Sequence, residues 1–198
     1  MACPLPFLWP YALFFWLMYA WAALPELRLM LRSRALAGAQ RAQDRGSVYI
    51  IRGGVLAGTL AAIILPFALP SASWRAHRAA AFWCGLALLI AASLVRRHCF
   101  RTLGARYTGV VRVERGQEIV DGGLYRWIRH PSYTAGFIGN AGIGLCFGNW
   151  AGLAAIAAAT AAAYAVRIPL EEAALLAHAG DAWRDYASRR KRFIPFVI

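Results

Sequence analysis

Five apolar stretches, each approaching the length needed to cross a lipid bilayer, constrain this chain more than any other feature. A hydrocarbon core about 30 Å thick needs roughly 20 apolar residues of helix. Hydrophobic residues make up 60% of the sequence, too many for a soluble domain with a solvated surface. The sequence therefore predicts an all-α integral membrane protein with about five transmembrane helices. The predicted spans are Leu5–Leu24, Val48–Leu69, Ala79–Val95, Thr134–Phe147 and Trp150–Val166.

Basic residues are distributed unevenly among the segments that connect these spans. Of the 22 Lys and Arg residues, five lie in residues 26–47, eight in 96–133 and six from 167 onward, against two in 70–78. Since basic residues collect on the cytoplasmic side, we expect the N-terminus outside and the C-terminal helical segment inside. The asymmetry accounts for the net charge of +13 without nucleic-acid binding. The first stretch lacks preceding basic residues, which favours a retained helix over a signal peptide.

Several common kinds of site find no support in the sequence. The four cysteines show no Cys-x-x-Cys spacing, so neither a metal site nor a disulfide framework is predicted. The run Gly139-x-x-Gly142-x-Gly144 has neither the spacing nor the preceding strand of a dinucleotide-binding loop. By contrast, Gly54-x-x-x-Gly58 places small residues on one helix face, which predicts close helix packing.

The longest segment outside the predicted spans is Arg96–Tyr133, which is too short for an independent domain. Its pattern favours turns and short extended pieces. Further along, Pro169 suits the first turn of a helix, so Leu170–Ala179 is predicted as a separate short helix. The chain is therefore interpreted as one membrane-embedded domain over residues 1–198.

Two polar clusters lie at opposite ends of a long apolar segment. They are Arg129-His130-Pro131-Ser132-Tyr133 and Arg167-x-x-x-Glu171-Glu172. A hydrophobic hairpin between them would return the chain to the side that it left, so the clusters would meet at one membrane face. A purely structural explanation stays open, because acidic residues are favoured in a first helical turn and Arg167 is spaced to pair with Glu171.

Four motifs give the C-terminal half a family resemblance. The first is Gly123-Leu124-Tyr125-Arg126-Trp127-Ile128-Arg129-His130-Pro131-Ser132-Tyr133, where the family often has Gly-Pro-Tyr at the start. Arg167-x-x-x-Glu171-Glu172, Gly180-Asp181-x-Trp183-x-x-Tyr186 and Arg192-Phe193-Ile194-Pro195 follow in order. Over about residues 95–198, the chain resembles the isoprenylcysteine carboxyl methyltransferases and related membrane phospholipid methyltransferases.

The resemblance implies an integral membrane enzyme that transfers a methyl group from S-adenosylmethionine, leaving S-adenosylhomocysteine. It divides the chain into a three-helix part, residues 1–95, and a cofactor-binding part, residues 96–198. Only one of the two adjacent glutamates is expected to face the cofactor, and Glu172 is favoured. The implied cofactor-binding residues are Tyr125, Arg129, His130, Pro131, Tyr133 and Glu172, and the candidate catalytic residues are Arg167, Glu171 and Arg192.

The methyl acceptor stays open at this point. A lipophilic or lipidated acceptor would enter from the bilayer, and its carboxylate, amine, hydroxyl or thiol would receive the methyl group. Rival interpretations are a membrane sterol-type reductase that uses NADPH and a non-catalytic lipid-binding membrane protein. The Arg-rich and Ala-rich composition, with Lys191 the sole lysine, suggests a bacterial protein of the inner membrane with a cytoplasmic active site.

Overall fold

The computed structural model describes residues 3–35, 46–104 and 119–193, apart from the side chains of residues 29, 30 and 32–35. Within these ranges the regular secondary structure is helical, which confirms the all-α prediction. Short 3-10 helices occur at Leu5–Phe7, Pro70–Ala72 and Gly123–Arg126. The α-helices are α1 (Tyr11–Ala35), α2 (Ser47–Ala68), α3 (Arg78–Leu103), α4 (Pro131–Phe147), α5 (Trp150–Ala179) and α6 (Asp181–Ser188).

Three of these helices, α2, α3 and α5, are long and apolar enough to cross a membrane. Helix α4 has 17 residues, which gives it a length of about 26 Å, a little less than a typical hydrocarbon core. Helix α1 carries Pro25 and Glu26 within its length. The integral membrane architecture is therefore supported, and the count of five spans stays a prediction.

Glycines allow the helices to approach each other closely. Helix α3 packs most extensively against α4, and α2 against α5. A Cβ atom on Gly85 of α3 would lie 2.4 Å from the carbonyl oxygen of Gly142 in α4. A Cβ atom on Gly58 of α2 would lie 3.0 Å from Cα of Ile156 in α5. The close packing predicted from the Gly54 and Gly58 spacing is confirmed.

Helices α4 and α5 form an antiparallel hairpin that defines two ends of the molecule. We call the end with the Gly148–Asn149 turn the far end, and the end where α4 begins and α5 finishes the near end. The hydrophobic core lies toward the far end, where all five long helices contribute. Its members include Phe15, Ala62, Phe82, Leu86, Ile143, Phe147 and Ile156.

Two local predictions are wrong because helices continue further than expected. Residues 96–103, predicted as part of a loop, form the last turns of α3, so the predicted division between residues 95 and 96 falls inside a helix. Pro169, predicted to begin a new helix, lies inside α5. Packing of α5 against α2 and α4 outweighs the cost of an interior proline, about 3 kcal/mol. The extended pieces expected in residues 105–118 lie outside the described residues.

Candidate active site

Glu172, near the end of α5, is the centre of a charged cluster at the near end. Its Oε1 atom accepts a hydrogen bond from Nη1 of Arg129 at 3.0 Å and lies 3.0 Å from Nε2 of His130. Arg192 donates from Nη2 to Oε2 at 2.6 Å and from Nε to Oε1 at 3.2 Å. The side chains of Glu172 and His130 are 12% and 3% exposed. One nearly buried carboxylate thus contacts groups from two other parts of the chain.

The backbone places Arg192 in this cluster. The N–H groups of Arg129 and His130 donate to the carbonyl oxygens of Lys191 and Arg192, at 2.8 and 3.0 Å. This pairing occurs just before α4, whose first residue, Pro131, has no N–H to donate. The chain segment after α6 therefore lies along the turn before α4, and its arginine reaches the carboxylate of α5.

Glu171 forms a second branch of the cluster. Its Oε2 atom accepts a hydrogen bond from the hydroxyl of Tyr133 at 2.6 Å. The same hydroxyl accepts from Nε of Arg167 at 3.3 Å. Arg167 is 4% exposed and also donates from Nη1 to the Oγ atom of Ser47 at 2.5 Å. The two predicted polar clusters therefore meet, as the hairpin predicted.

Both adjacent carboxylates reach the segment 129–133. Which of the two faces the cofactor stays a prediction. Successive helical residues differ by about 100° in direction. Glu172 consequently meets Arg129, whereas Glu171 meets Tyr133. The short turn before α4 runs across the end of α5, which places one partner beside each carboxylate.

Glu172 contacts more cationic groups than its single charge can neutralise. The guanidinium groups of Arg129 and Arg192 both donate hydrogen bonds to this one carboxylate, whereas Arg167 donates to the hydroxyls of Tyr133 and Ser47. The Nε atom of Arg129 is buried and has no hydrogen-bond partner among the described residues. Since a buried donor without an acceptor costs about 1–3 kcal/mol, the cluster is suited to an additional anionic group.

Tyr125 and Pro131 lie beside this cluster and support it. Tyr125 is 8% exposed, and its carbonyl oxygen accepts a hydrogen bond from the hydroxyl of Tyr186 at 2.8 Å. Burial raises the pKa of Tyr186 to about 12, so its hydroxyl stays protonated and remains a donor. Pro131 is buried at the first position of α4. Tyr125 therefore joins α6 to the segment that carries Arg129.

Sequence reasoning missed Arg96 as part of this region. Its Nη1 atom donates to the carbonyl oxygen and the Oγ atom of Ser132, at 2.7 and 3.1 Å. Its Nη2 atom donates to Oε1 of Glu26 in α1 at 2.5 Å. The sequence predicts Arg96 in a loop. Its side chain points toward Ser132 because residues 96–103 continue helix α3. Ser47, the partner of Arg167, carried no signal in the sequence beyond its place before a span.

Known proteins are similar to the part of the chain that contains this site. Residues 85–177 match the family model of the isoprenylcysteine carboxyl methyltransferase (ICMT) family. Protein-S-isoprenylcysteine O-methyltransferase B of Arabidopsis thaliana is 30% identical over 115 residues, which are 57% of this chain and 58% of that protein. The enzyme of that name from Tribolium castaneum is also 30% identical over 115 residues, and the match covers 57% of this chain and 41% of that protein.

A solved structure extends the similarity to the fold. The structure of the eukaryotic intramembrane Ras methyltransferase ICMT aligns with a TM-score of 0.58 and 26% sequence identity. The alignment covers 73% of this chain and 51% of that chain. This chain thus spans about half the length of the relatives that it matches.

Proposed function

We propose that this protein is an integral membrane methyltransferase that uses S-adenosylmethionine, since residues 85–177 match the model of the isoprenylcysteine carboxyl methyltransferase family. The observation that carries the proposal is the Glu172 cluster, in which the residues of the family motifs lie together. The family match and the fold favour this activity over an NADPH-dependent reductase and over non-catalytic lipid binding.

The donor set of the cluster fits the amino-acid part of S-adenosylmethionine, which has an ammonium and a carboxylate on one carbon. Glu172 would hold the ammonium, and Arg129 with His130 would hold the carboxylate. The unpartnered Nε atom of Arg129 is a donor for that purpose. Of the two arginines on Glu172, Arg192 is the one that would move aside when the ammonium binds, since its side chain is 49% exposed whereas that of Arg129 is 17% exposed.

Aromatic groups nearby suit the rest of the cofactor. The ring of Tyr133 packs edge-on against that of Tyr164, with centroids 4.8 Å apart. The rings of His130 and Phe193 lie 6.2 Å apart. Such faces attract a sulfonium cation and a flat base. Pro131 and Tyr133 would therefore border the cofactor, and Tyr125 would support that wall through its bond to α6.

S-adenosylmethionine, when bound, supplies a methyl group that its positive sulfur has already activated. The protein therefore mainly aligns the acceptor and excludes water. Arg167, which is 4% exposed, would orient an anionic acceptor, with Arg192 closing over it. A carboxylate acceptor needs no base, whereas an amine, hydroxyl or thiol must lose a proton. Glu171, hydrogen-bonded to Tyr133, would receive that proton.

The acceptor that we propose is a lipophilic or lipidated molecule that reaches the site from the bilayer. The relatives compared above are protein-S-isoprenylcysteine O-methyltransferases. The site lies where α4 begins and α5 finishes, so an apolar chain could remain in lipid while its polar end contacts Arg167. The excess of basic residues at the near end supports a cytoplasmic site, and composition supports the inner membrane of a bacterium.

The first experiment is calorimetric titration of the detergent-purified protein with S-adenosylmethionine and S-adenosylhomocysteine. We expect Glu172→Gln to weaken binding about 10- to 100-fold, because charge-assisted hydrogen bonds contribute about 1.5–3 kcal/mol. Asp181→Asn is the matched control, since this carboxylate of α6 is 94% exposed and pairs only with Arg184 among the described residues. It should bind both ligands like the wild type.

Unchanged affinity in a folded Glu172→Gln variant would contradict the assignment of Glu172. Absence of binding to the folded wild-type protein would contradict the methyltransferase proposal itself. Transfer of a tritiated methyl group to a lipid extract, measured against NADPH consumption, then separates the methyltransferase from the reductase. Equal thermal stability of the two variants shows that the loss of binding is not a loss of folding.

A further inference from the structure

The far end of the molecule carries two arginines that form no ion pair with a described carboxylate. Arg75 and Arg78 lie there, between α2 and the start of α3. Among the described acidic residues, Glu26 and Asp121 pair with Arg96 and Arg190, and the other four lie in the last turns of α5 or in α6. No carboxylate of the described ranges therefore neutralises the two far-end arginines.

A small cleft beside the Gly148–Asn149 turn includes Arg78. Leu5, Ser73, Trp74 and Phe147 also line this cleft. Nη2 of Arg78 donates to the carbonyl oxygen of Cys3 at 2.5 Å, and Arg78 forms no ion pair with any described residue. The cleft thus combines an apolar wall with a cation that lacks an anionic partner.

Trp74 supplies a second donor that lacks an acceptor. Its Nε1 atom is buried, and no described residue accepts its hydrogen bond. Burying such a donor without an acceptor costs about 1–3 kcal/mol. An oxygen atom of a molecule in the cleft would remove this cost. Arg78 and Trp74 therefore indicate the same kind of ligand, a group with several acceptor oxygens and negative charge.

A hydrogen bond and a ring contact join the wall of the cleft to the Gly148–Asn149 turn and to α5. The backbone N–H of Trp74 donates to the carbonyl oxygen of Gly148 at 2.8 Å. The ring of Trp74 packs edge-on against that of Trp150, at a centroid distance of 4.7 Å, and Trp150 is 63% exposed. Tryptophan is enriched at the boundary between lipid and water, where lipid headgroups lie.

We propose that this cleft binds the phosphate of a phospholipid headgroup. Arg78 pairs with the phosphate, since a guanidinium matches its oxygen atoms in geometry and charge. The indole N–H of Trp74 donates to a second oxygen of the headgroup, and Leu5 and Phe147 contact the first carbons of the lipid. The start of α3 adds a favourable helix dipole, because Arg78 is its first residue. This inference does not depend on the proposed methyl transfer.

The test measures the thermal stability of the detergent-purified protein with three added probes. They are dioleoylphosphatidylglycerol, dioleoylglycerol, which has the same chains without phosphate, and inorganic phosphate. We expect only the phospholipid to raise the melting temperature, since a ligand stabilises the state that binds it. Trp74→Phe and Arg78→Gln should each reduce this shift by at least about half. Arg75→Gln, an exposed arginine that does not line the cleft, should keep the full shift.

Three results would overturn the proposal. Equal shifts in the wild type, Trp74→Phe and Arg78→Gln would show that the phospholipid acts elsewhere. An equal shift with dioleoylglycerol would show that the phosphate is not recognised. An equal shift with inorganic phosphate would assign the cleft to a free anion instead of a lipid. Trp74→Phe removes only the N–H donor and part of the ring, so the test stays decisive if Arg78→Gln fails to fold.

Discussion

Asn149 and Glu172 are polar side chains buried at opposite ends of the α4–α5 hairpin, and they differ in the partners of their hydrogen bonds. At the far end, Asn149 is fully buried. Its Oδ1 atom accepts from the N–H of Gly152 at 2.9 Å, and its Nδ2 atom donates to the carbonyl of Leu69 and the hydroxyl of Ser73, at 3.0 and 2.9 Å. At the near end, the single carboxylate of Glu172 accepts hydrogen bonds from the guanidinium groups of both Arg129 and Arg192.

This difference distinguishes a structural polar group from a ligand site. A neutral amide whose bonds are all made within the protein stabilises the turn and leaves nothing for a ligand. A charged cluster with an unpartnered buried donor, as at Arg129, leaves a hydrogen bond for the cofactor that we propose. Between the two ends, the contacts of the hairpin change from apolar to charged. They are, in order, Gly144 with Ile156, Asn140 with Thr160, and Tyr133 with Arg167.

The largest effect on stability is expected where the backbones of α3 and α4 lie in close contact. In Gly85→Ala, the new Cβ atom would lie 2.4 Å from the carbonyl oxygen of Gly142 and 2.9 Å from the nitrogen of Cys146. Because these are backbone atoms, α3 and α4 must separate, which we expect to cost about 3 kcal/mol. Thermal unfolding in detergent measures the loss, and binding of S-adenosylmethionine by the remaining folded protein should be unchanged.

Gly122→Ala is the matched control for this change. A Cβ atom at Gly122 would have no neighbour within 4 Å, and φ is −83° there. Its melting temperature should equal that of the wild type. If Gly85→Ala is as stable as Gly122→Ala, the close approach of α3 and α4 is not a stabilising contact.

A smaller loss is expected when the amide at the far end is removed. Asn149→Ala deletes the cap of α5 and leaves the N–H of Gly152 without its acceptor. The carbonyl of Leu69 also loses one of its two donors and keeps only the N–H of Ala72. We expect a destabilisation of about 2 kcal/mol. Affinity for S-adenosylmethionine should not change, since the near end keeps its contacts. Weakened binding with unaltered stability would contradict the structural role that we assign to Asn149.

The smallest effect tests whether a polar residue at the near end can be purely structural. Tyr186→Phe removes the hydrogen bond to the carbonyl of Tyr125, which we expect to cost about 1 kcal/mol. Burial raises the pKa of Tyr186 from 10.0 to about 12. The folded state therefore binds this proton more tightly than the unfolded state does, so stability is lost as the pH rises from about 10 toward 12.

The measurement for Tyr186 compares unfolding of the wild type and the variant across this pH range. The difference between the two proteins should shrink as the pH rises, because the wild type alone loses the contribution of this hydroxyl. A difference that stays constant from pH 8 to 12 would contradict the buried, protonated state. Ligand affinity measured at pH 8 should fall far less than in Glu172→Gln, since Tyr186 donates to the carbonyl of Tyr125 and not to the Glu172 carboxylate.

Much of the fold followed from the sequence because hydropathy and helical periodicity are local properties. Ser47–Ala68 and Trp150–Ala179 begin within one residue of the predicted spans. The meeting of Glu172 with His130 also followed, since a hairpin of two apolar helices must return to the side that it left. The continuation of α5 through Pro169 could not be predicted, because local preference opposes it and only packing against other helices offsets that cost.

The sequence by itself determined that this chain forms apolar helices and that two polar motifs meet at one end of a hairpin. The tertiary structure decided which atoms pair there. Arg192 reaches Glu172 because the carbonyl oxygens of residues 191 and 192 accept hydrogen bonds from the N–H groups of residues 129 and 130. Arg96 reaches Ser132 because α3 packs on α4. Such contacts join residues that are far apart in the chain, and a local sequence pattern contains no information on the distance between them in space. The partners of each side chain therefore depend on helix packing, whereas the helices themselves depend on local composition and hydrophobic periodicity.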